Sequence, residues 1–273
     1  MIKIITDSSC DLPDELIKKY EIRTVPLSVE IEGVRYTERI DITPEQFWEK
    51  MKRARSLPKT SQPSPALFAE VFKKVTKEGH VPLCITISSK LSGTYQSAML
   101  GNELVGKKAV VFDSLAGSLA HGIQVLMAAR LATAGKKMKE IFEALEKYRE
   151  SVKIIIPLDT LENIIKGGRL NRVQGTVAKL LNIKVILHGV KGEVKMLKKV
   201  RGKKRFREAI LKIINGLNPE PGRIFGITHV NNIEDANYFK EILEKQFNSE
   251  VIVNGMGPTF ATYAGPGGLI LAL

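Results

Sequence analysis

The sequence predicts an α/β protein of two domains, with a largely parallel sheet in the first. In that half, short apolar runs typical of buried strands alternate with amphipathic helical segments, which is the pattern of parallel α/β folds. The length of 273 residues suits one large or two medium domains. We expect domains of residues 1–153 and 154–273, packed tightly because no low-complexity linker separates them.

The composition is that of an ordinary folded protein. Hydrophobic residues make up 44%, charged residues 26% and aromatic residues 6%, which disfavours collagen-like, disordered and coiled-coil classes. No run approaches 18 consecutive apolar residues, and the amino terminus lacks a long apolar segment with a cleavage site. We therefore expect a cytoplasmic protein. Cys10 and Cys84 lie in or beside predicted strands without metal-ligand spacing, which favours buried free thiols.

Turn and cap residues mark the start of the first domain. A strand is predicted at residues 2–6, and Asp11 with Pro13 then starts a helix. The Glu32-Gly33 pair predicts the turn of a hairpin that covers residues 25–36. A sheet and its first covering helix are therefore predicted within the first forty residues or so.

Two proline-led helix starts follow. Thr43 supplies an N-cap, Pro44 the first-turn proline and Gln46 the capping-box partner, so a helix is predicted there. Ser64-Pro65 predicts the next helix, whose apolar residues share one face. Strands at 81–87 and 108–112, each with a helical pattern after it, and helices at 119–134 and 139–150 complete the predicted domain.

The second domain is predicted as another α/β unit. A strand begins at Ile154, and a helix ends at Gly167-Gly168. Two neighbouring strands join at the Lys191-Gly192 turn. The remaining predictions are a helix at 203–216, a strand at 224–229, a helix at 233–247, a strand at 251–253, a Gly-Pro-rich segment at 255–268 and an apolar end at 269–273.

Hydroxyl side chains follow the predicted strands of the first domain. They occur in Thr6-Asp7-Ser8-Ser9, in residues 88–97 and in Asp113-Ser114, and residues 59–64 add more ahead of a helix. Ligands of open α/β sheets bind beyond the carboxyl ends of the strands. Any one of these hydroxyls could instead cap a helix. Their clustering near helix amino termini predicts a site for a carboxylate or phosphate that needs no strong cation.

Known catalytic patterns are absent from the sequence. It contains no dinucleotide or P-loop glycine motif, no zinc-protease motif and no nucleophile elbow, and its four histidines lack metal-ligand spacing. Asp7 or Asp113 could act as a general base, although a strand-end Asp beside Ser more often fixes a turn. One hypothesis is therefore an autonomous enzyme that uses Asp7 or Asp113 on a small phosphorylated or carboxylated substrate.

Positive charge is concentrated in one segment. Lys and Arg total 42 against 29 Asp and Glu, a net charge of +13, and nine basic residues with one Glu give residues 191–207 a local charge of +8. This basic strip, residues 191–207, could be a solvated surface or could bind an acidic partner. Nucleic acid is disfavoured, because Phe206 is the only aromatic residue in the strip and stacking platforms are lacking.

The same hydroxyl-rich residues resemble the DegV family of bacterial fatty-acid-binding proteins. The resemblance spans essentially the whole chain, and residues 88–98 carry its most specific motif. Shorter matching motifs are Thr6 to Ser9, Lys59 to Ser64, Asp113-Ser114, Gly167-Gly168-Arg169 and Gly265-Pro266-Gly267. The resemblance implies a two-domain fold, Rossmann-like in its first domain, with a ligand tunnel between the domains.

The resemblance also implies a function. A long-chain fatty acid such as a C16 to C18 acid would lie in the tunnel, without a cofactor, a metal ion or a catalytic residue. By motif position, Thr60 and Ser92 would hold its carboxylate, with the Gly93 amide and Ser61 beside them. Many family members have a His two residues before the last Gly-Pro-Gly, where this chain has Tyr263, a neutral donor at pH 7.

A partner is implied as well. Members of the fatty-acid-kinase system present the carboxylate to a separate ATP-dependent kinase, which makes the acyl phosphate. Arg169, Arg172 and Arg201 lie in or near matching motifs and could contact the kinase or the phosphate, or form surface salt bridges. The predicted partners are thus a fatty acid and a fatty acid kinase, with no stable nucleic-acid binding and at most transient membrane contact, for which the basic strip could serve.

Overall fold

The structure, a computed structural model, describes residues 1–170 and 183–273. Its first part contains β1 (Ile2–Asp7), α1 (Asp14–Lys19), β2 (Arg23–Val25), β3 (Ser28–Ile31), β4 (Val34–Thr37), α2 (Pro44–Arg53), β5 (Lys59–Ser61), α3 (Pro65–Lys77), β6 (Val81–Thr86), α4 (Thr94–Leu104), β7 (Val110–Asp113), α5 (Leu119–Thr133) and α6 (Met138–Ser151). The rest contains β8 (Ile154–Leu158), α7 (Glu162–Lys166), β9 (Ile183–Val190), β10 (Glu193–Arg201), α8 (Lys203–Leu217), β11 (Phe225–His229), α9 (Ile233–Phe247), β12 (Val251–Gly255), α10 (Pro258–Ala264) and β13 (Leu269–Ala272).

These strands form three sheets. The first is parallel, in the order β2-β1-β6-β7, as the sequence predicts for the first domain. The second has the order β10-β9-β8-β13-β11-β12, and only its β11–β12 pair is parallel. A small antiparallel sheet, β4-β3-β5, completes the set. The predicted α/β class is confirmed, and the domain boundary at Lys153 stays a prediction.

Helix α5 lies between the two larger sheets. It contacts β1 and β6 on one side and β11 and β13 on the other. Its residues from Leu119 to Leu126 are all buried, including the polar His121 and Gln124. A helix that is buried on all sides and mostly apolar is typical of a protein interior. Its sequence therefore fits the position between the sheets, where both faces of the helix exclude water.

One local prediction needs correction, and the structure adds two elements that were not predicted. The predicted strand at residues 25–31 is two strands, because Pro26 follows β2 and the chain leaves the parallel sheet to form β3. Lys59–Ser61 forms β5, paired with β3, although its three residues are too short to show a period. The Gly-Pro-rich segment at 255–268 contains α10, with Pro258 at its first position and Gly265 after its end.

Other local predictions are confirmed. Thr43 accepts a hydrogen bond from the Gln46 amide, and the Gln46 side chain accepts one from the Thr43 amide, which is the predicted capping box of α2. Cys10 and Cys84 are buried free thiols. Burial raises the pKa of Cys10 to about 11, so this thiol is protonated and inert at neutral pH.

A buried carboxylate, Asp11, gives the fold a pH dependence. Burial raises its pKa to about 7, although the Ser118 hydroxyl and the Arg39 charge favour the ionised form. The folded state therefore binds this proton more tightly than the unfolded chain, whose Asp titrates near pH 4. The contribution of this proton to the free energy of unfolding is complete below about pH 4 and is lost as the pH rises through about 7.

We predict that Asp11→Asn flattens the pH dependence of stability. Between pH 5 and pH 8 the free energy of unfolding of the wild type should fall by about 2 kcal/mol more than that of the variant. Urea denaturation at several pH values measures this difference. Parallel curves for the two proteins over that range would contradict the assignment to Asp11.

Candidate functional site

A cavity of about 350 Å³ lies between the parallel sheet and the second sheet. Its volume falls in the range of small-molecule sites, which is about 300–1,000 Å³. Residues from both sides of Lys153 line it. They come from Leu27, Thr60–Gln62, Ile87, Leu91–Gly93, Leu115–Gly117, Ile154, Ile156, Leu158, Ile164, Arg169, Gly189, Gly192–Val194, Thr259, Phe260, Tyr263, Ala264 and Ile270. Every predicted carboxylate contact, Thr60, Ser61, Ser92, Gly93 and Tyr263, is in this set.

One wall of the cavity is polar, and it lies where β5 meets α10; we call it the polar wall. The Thr60 hydroxyl and the Tyr263 hydroxyl are hydrogen-bonded at 2.6 Å, although 203 residues separate them in the chain. Ser61 and Gln62 follow Thr60 on the same strand end and are exposed. The polar wall therefore reaches the protein surface and offers neutral hydroxyl donors there.

The loop after β6 supplies the rest of this wall. The Ser92 hydroxyl is hydrogen-bonded to that of Thr94 at 2.9 Å, and Gly93 directly precedes α4. A Cβ atom on Gly93 would lie 2.1 Å from the Gln62 Oε1 atom, so the Gln62 side chain, directly after β5, packs closely on this glycine. Thr60, Ser92 and Gly93 are thus grouped by the contact between this loop and β5.

Tyr263 is held in place by the segment after α7. Its ring packs on Gly167, where a Cβ atom would lie 2.3 Å from the Tyr263 Cε1 atom. The Arg169 guanidinium lies 4.8 Å from the centre of the same ring and donates a hydrogen bond to the Gly167 carbonyl at 2.6 Å. Arg169 is exposed at the cavity rim. Its charge is in cation–π contact with the Tyr263 ring.

The other predicted arginines are not part of this arrangement. Arg201 ends β10, is exposed, and is not among the described residues that line the cavity. Arg172 lies outside the described residues.

The remaining walls are apolar. Ile154, Ile156 and Leu158 alternate along β8, so all three project from one face of the strand into the cavity. The Phe260 ring packs on Gly117, where a Cβ atom would lie 2.1 Å from the ring. Sequence patterns did not identify Phe260 or β8 as site residues, because the inward face of a strand depends on tertiary packing. Gly117 was the sequence signal available for this contact, because a glycine allows a ring to pack closely on the backbone.

Asp7 and Asp113 have structural roles. The Asp7 carboxylate is fully buried and accepts hydrogen bonds from the Ile87 amide at 2.7 Å and the Ser9 amide at 3.1 Å. Asp113 accepts from the Ser89 and Leu115 amides, both at 3.1 Å. Neither is among the described residues that line the cavity. Both carboxylates therefore fix the loops at the strand ends, and the geometry does not favour the general-base hypothesis.

The basic strip forms part of the β9–β10 hairpin and the start of α8. Lys198, Lys199 and Arg201 are exposed on β10, which is an edge strand, and have no ion pair among the described residues. Arg207 pairs with Glu234 at 2.7 Å and with Asp235, so part of the charge is neutralised. Phe206 is buried and cannot stack on a base, which further disfavours nucleic-acid binding.

Two features, a metal site and a membrane-spanning helix, are not found in the described ranges. Within residues 1–170 and 183–273, no group of His, Cys, Asp and Glu side chains is arranged to bind a metal ion. In the same ranges, no helix combines the length and the apolar content that crossing a bilayer requires.

Known proteins share this chain's sequence and fold. The model of the DegV family, described as a family of uncharacterised proteins, matches residues 1–272. The chain belongs to the DegV family. A DegV domain-containing protein of Lactococcus lactis is 36% identical over 268 residues, which cover 97% of this chain and 96% of the relative.

Solved DegV structures superpose over nearly the whole chain. A fatty-acid-binding DegV protein from Thermus thermophilus has a TM-score of 0.92 and 32% identity, and the match covers 99% of this chain and 98% of that one. A DegV protein from Ruminococcus gnavus, with vaccenic acid, has a TM-score of 0.91 and 27% identity over 100% of this chain and 99% of that one. The predicted family is confirmed.

We predict that Gly167→Ala displaces the Tyr263 ring. The added methyl group would lie inside the van der Waals radius of the ring, so the substitution should destabilise the protein by about 1–3 kcal/mol. Gly216→Ala is the matched control, because Gly216 lies in α8 with open space around it. The control should stabilise the protein by about 0.5–1 kcal/mol. Urea denaturation compares the two, and equal effects of the same sign would refute close packing at Gly167.

Proposed function

We propose that this DegV protein binds one long-chain fatty acid in the cavity and acts in the cytoplasm as a carrier. The carboxylate would contact the hydroxyls of Thr60, Ser61, Ser92 and Tyr263 and the amide of Gly93. The acyl chain would extend along the apolar walls formed by β8, α10 and β13. The observation that carries the proposal is the division of one cavity into a hydroxyl-lined surface end and an apolar interior.

The energetics suit such a ligand. Transfer of a sixteen-carbon chain from water at about 0.8 kcal/mol per methylene group offers about 11 kcal/mol before ordering costs. The acyl chain can therefore supply the affinity. The neutral hydroxyls need only orient the carboxylate and replace its hydrogen bonds to water.

The relatives support the same ligand class. The Thermus thermophilus protein binds fatty acid, and the Ruminococcus gnavus structure contains vaccenic acid. Both share this chain's fold from end to end. A cavity in the same fold, with hydroxyls at one end, is a reasonable site for the same kind of molecule here.

We predict that Thr60→Val and Tyr263→Phe each weaken fatty-acid binding about ten- to a hundredfold. Each change removes one hydroxyl and keeps the side-chain shape, and a hydrogen bond to a charged group contributes about 1.5–3 kcal/mol. The losses should be less than additive, because the two hydroxyls are bonded to each other. Competition with a fluorescent fatty acid measures the dissociation constants, and native mass spectrometry reports one bound acid.

Thr76→Val is the control for these variants. Its hydroxyl donates to the Phe72 carbonyl within α3, and Thr76 is not among the described residues that line the cavity. Its affinity should match the wild type. A wild-type protein that takes up no fatty acid would overturn the proposal, and so would equal affinity in all four proteins.

We also propose that the bound acid is presented to a separate fatty acid kinase. A carboxylate oxygen would attack the terminal phosphorus of ATP, so that ADP leaves and an acyl phosphate forms. The position of the polar wall supports this idea, since Ser61, Gln62 and Arg169 are exposed where a partner could reach them. Arg169 would steady the growing phosphate charge, while Arg201 and the basic strip would meet the kinase surface.

We predict that the double substitution Lys198→Glu and Lys199→Glu impairs coupling to the kinase but not fatty-acid binding. Both lysines are exposed on β10 and lie outside the described cavity lining, so fatty-acid affinity should change less than twofold. Acyl-phosphate formation with a fatty acid kinase and ATP should fall about tenfold at low salt, because charged patches mainly set association rates.

Lys73→Glu with Lys74→Glu is the matched charge control. These lysines are exposed on α3, and the net charge changes equally. Coupling should survive in the control. Equal loss in both double variants would argue against a specific docking surface, and lost fatty-acid binding in the β10 variant would place its charge in the pocket.

A further inference from the structure

Helix α10 contributes four residues to the cavity lining, Thr259, Phe260, Tyr263 and Ala264, but has no acidic residue of its own in its first turn. It spans Pro258–Ala264, and its N-cap, Gly257, has no side chain that could accept a hydrogen bond. Pro258 has no N–H group, so the first helical N–H that needs a partner is that of Thr259. The backbone at this end of α10 therefore requires an acceptor from elsewhere in the fold.

Glu38 supplies that acceptor from the residue after β4. One of its carboxylate oxygens, Oε1, accepts hydrogen bonds from the Thr259 amide and the Thr259 hydroxyl, both at 2.6 Å. Glu38 is 1% exposed and Thr259 is 5% exposed, so water competes little for these bonds. A carboxylate at a helix amino terminus is also favoured by the helix dipole.

The other side of Glu38 is fixed to the first sheet. Its Oε2 atom accepts a hydrogen bond from the Ser8 hydroxyl, directly after β1. Ser8 Oγ also accepts a bond from the Leu27 amide at 2.9 Å, and the Glu38 amide donates to the Leu27 carbonyl at 3.0 Å. Leu27 and Thr259 both line the cavity, so Glu38 joins two of its walls.

A second buried carboxylate supports the same helix end. Asp11 accepts hydrogen bonds from the Gly257 amide at 3.1 Å and from the Ser118 hydroxyl at 2.6 Å. Arg39 is the nearby cation, and it donates to the Leu12 carbonyl and to Asp14. Two further titratable groups, Cys10 and Asp7, lie in the interior near Asp11 and Glu38. Four carboxylates line a surface cleft beside them: Asp14, Glu15, Asp41 and Glu45.

We propose that Glu38 is a positioning residue for the carboxylate end of the cavity, because it holds the start of α10 and so places Tyr263 against Thr60. This inference rests on the proposed fatty-acid function. Thr259 and Tyr263 are four residues apart and lie about one helical turn from each other, so a shift at the first moves the second. The Thr60–Tyr263 bond at 2.6 Å tolerates little displacement.

The test compares a fatty acid with the alcohol of the same chain length. Dissociation constants of hexadecanoic acid and hexadecan-1-ol are measured by competition for the wild type, Glu38→Ala and Glu38→Gln. In Glu38→Ala the acid should bind about tenfold more weakly and the alcohol less than twofold, because hydrogen bonds to a charged head group are the stronger ones. Glu38→Gln should recover most of the acid affinity, since its carbonyl oxygen can still accept from Thr259.

Glu140→Ala is the matched control. Glu140 also accepts a backbone hydrogen bond at a helix start, from the Lys137 amide at the beginning of α6, and it is not among the described cavity residues. Both ligands should bind to this variant as they do to the wild type. Should Glu38→Ala fail to fold, Thr259→Val removes one of the two bonds and should show a smaller loss, again selective for the acid.

Two further measurements separate positioning from general destabilisation. Trp48, the single tryptophan, donates to the Met256 carbonyl at 3.1 Å, two residues before α10, so its emission should shift in Glu38→Ala but not in Glu140→Ala. In a Tyr263→Phe background, Glu38→Ala should cause no further acid-selective loss. Equal weakening of acid and alcohol, or full acid-selective loss in the Tyr263→Phe background, would overturn the proposal. A wild type that binds neither ligand would instead refute the fatty-acid function.

Discussion

The fold depends on the close contact of α5 with two sheets at once. A Cβ atom on Gly122 would lie 2.3 Å from the Cys10 carbonyl oxygen, and one on Gly226 would lie 2.8 Å from Leu119. Gly122 on the helix and Gly226 on β11 therefore set how near the segment after β1 and the second sheet come to α5. The loop before α5 lines the cavity at Leu115–Gly117, so the same packing determines where the cavity wall lies. A looser contact at α5 would widen the cavity as well as weaken the core.

Buried carboxylates fix the loops that surround this core. Asp7 accepts a hydrogen bond from the Ile87 amide directly after β6, and Asp11 and Glu38 accept from amides at the start of α10. Burial raises the pKa of both Asp11 and Glu38, which means that each ionised group costs stability in the fold. The fold retains them where they join chain segments more than two hundred residues apart. Removing one partner would leave the other polar groups unsatisfied, so these contacts specify one arrangement of the cavity walls.

Local signals predicted what depends on neighbouring residues. The Thr43 capping box, the Lys191-Gly192 turn and the hydroxyls after β6 are all present in the structure. No helix was assigned to the Gly-Pro-rich segment at 255–268, yet Pro258 and Gly265 are the boundary residues of a short helix, α10. The place of β13 between β8 and β11 could not be predicted, since an apolar terminal run does not specify which strands it joins. The apolar walls and the Glu38–Thr259 contact depend on such long-range pairings, and no spacing in the sequence encodes them.

The neutral polar wall has a chemical consequence for a carrier of fatty acids. A carboxylate held by a tight pair of arginines would lose basicity and nucleophilicity, because the cations stabilise its negative charge. Hydroxyl donors would orient the same group with a smaller effect on its charge, and burial of the acyl chain in the proposed complex would already provide affinity. Arg169 lies over the Tyr263 ring and donates to the Gly167 carbonyl, so its charge is at the rim and makes no hydrogen bond to either hydroxyl among the described contacts. A fatty acid bound as proposed would be retained through its tail, and its head group would stay reactive toward an electrophile brought by the proposed kinase.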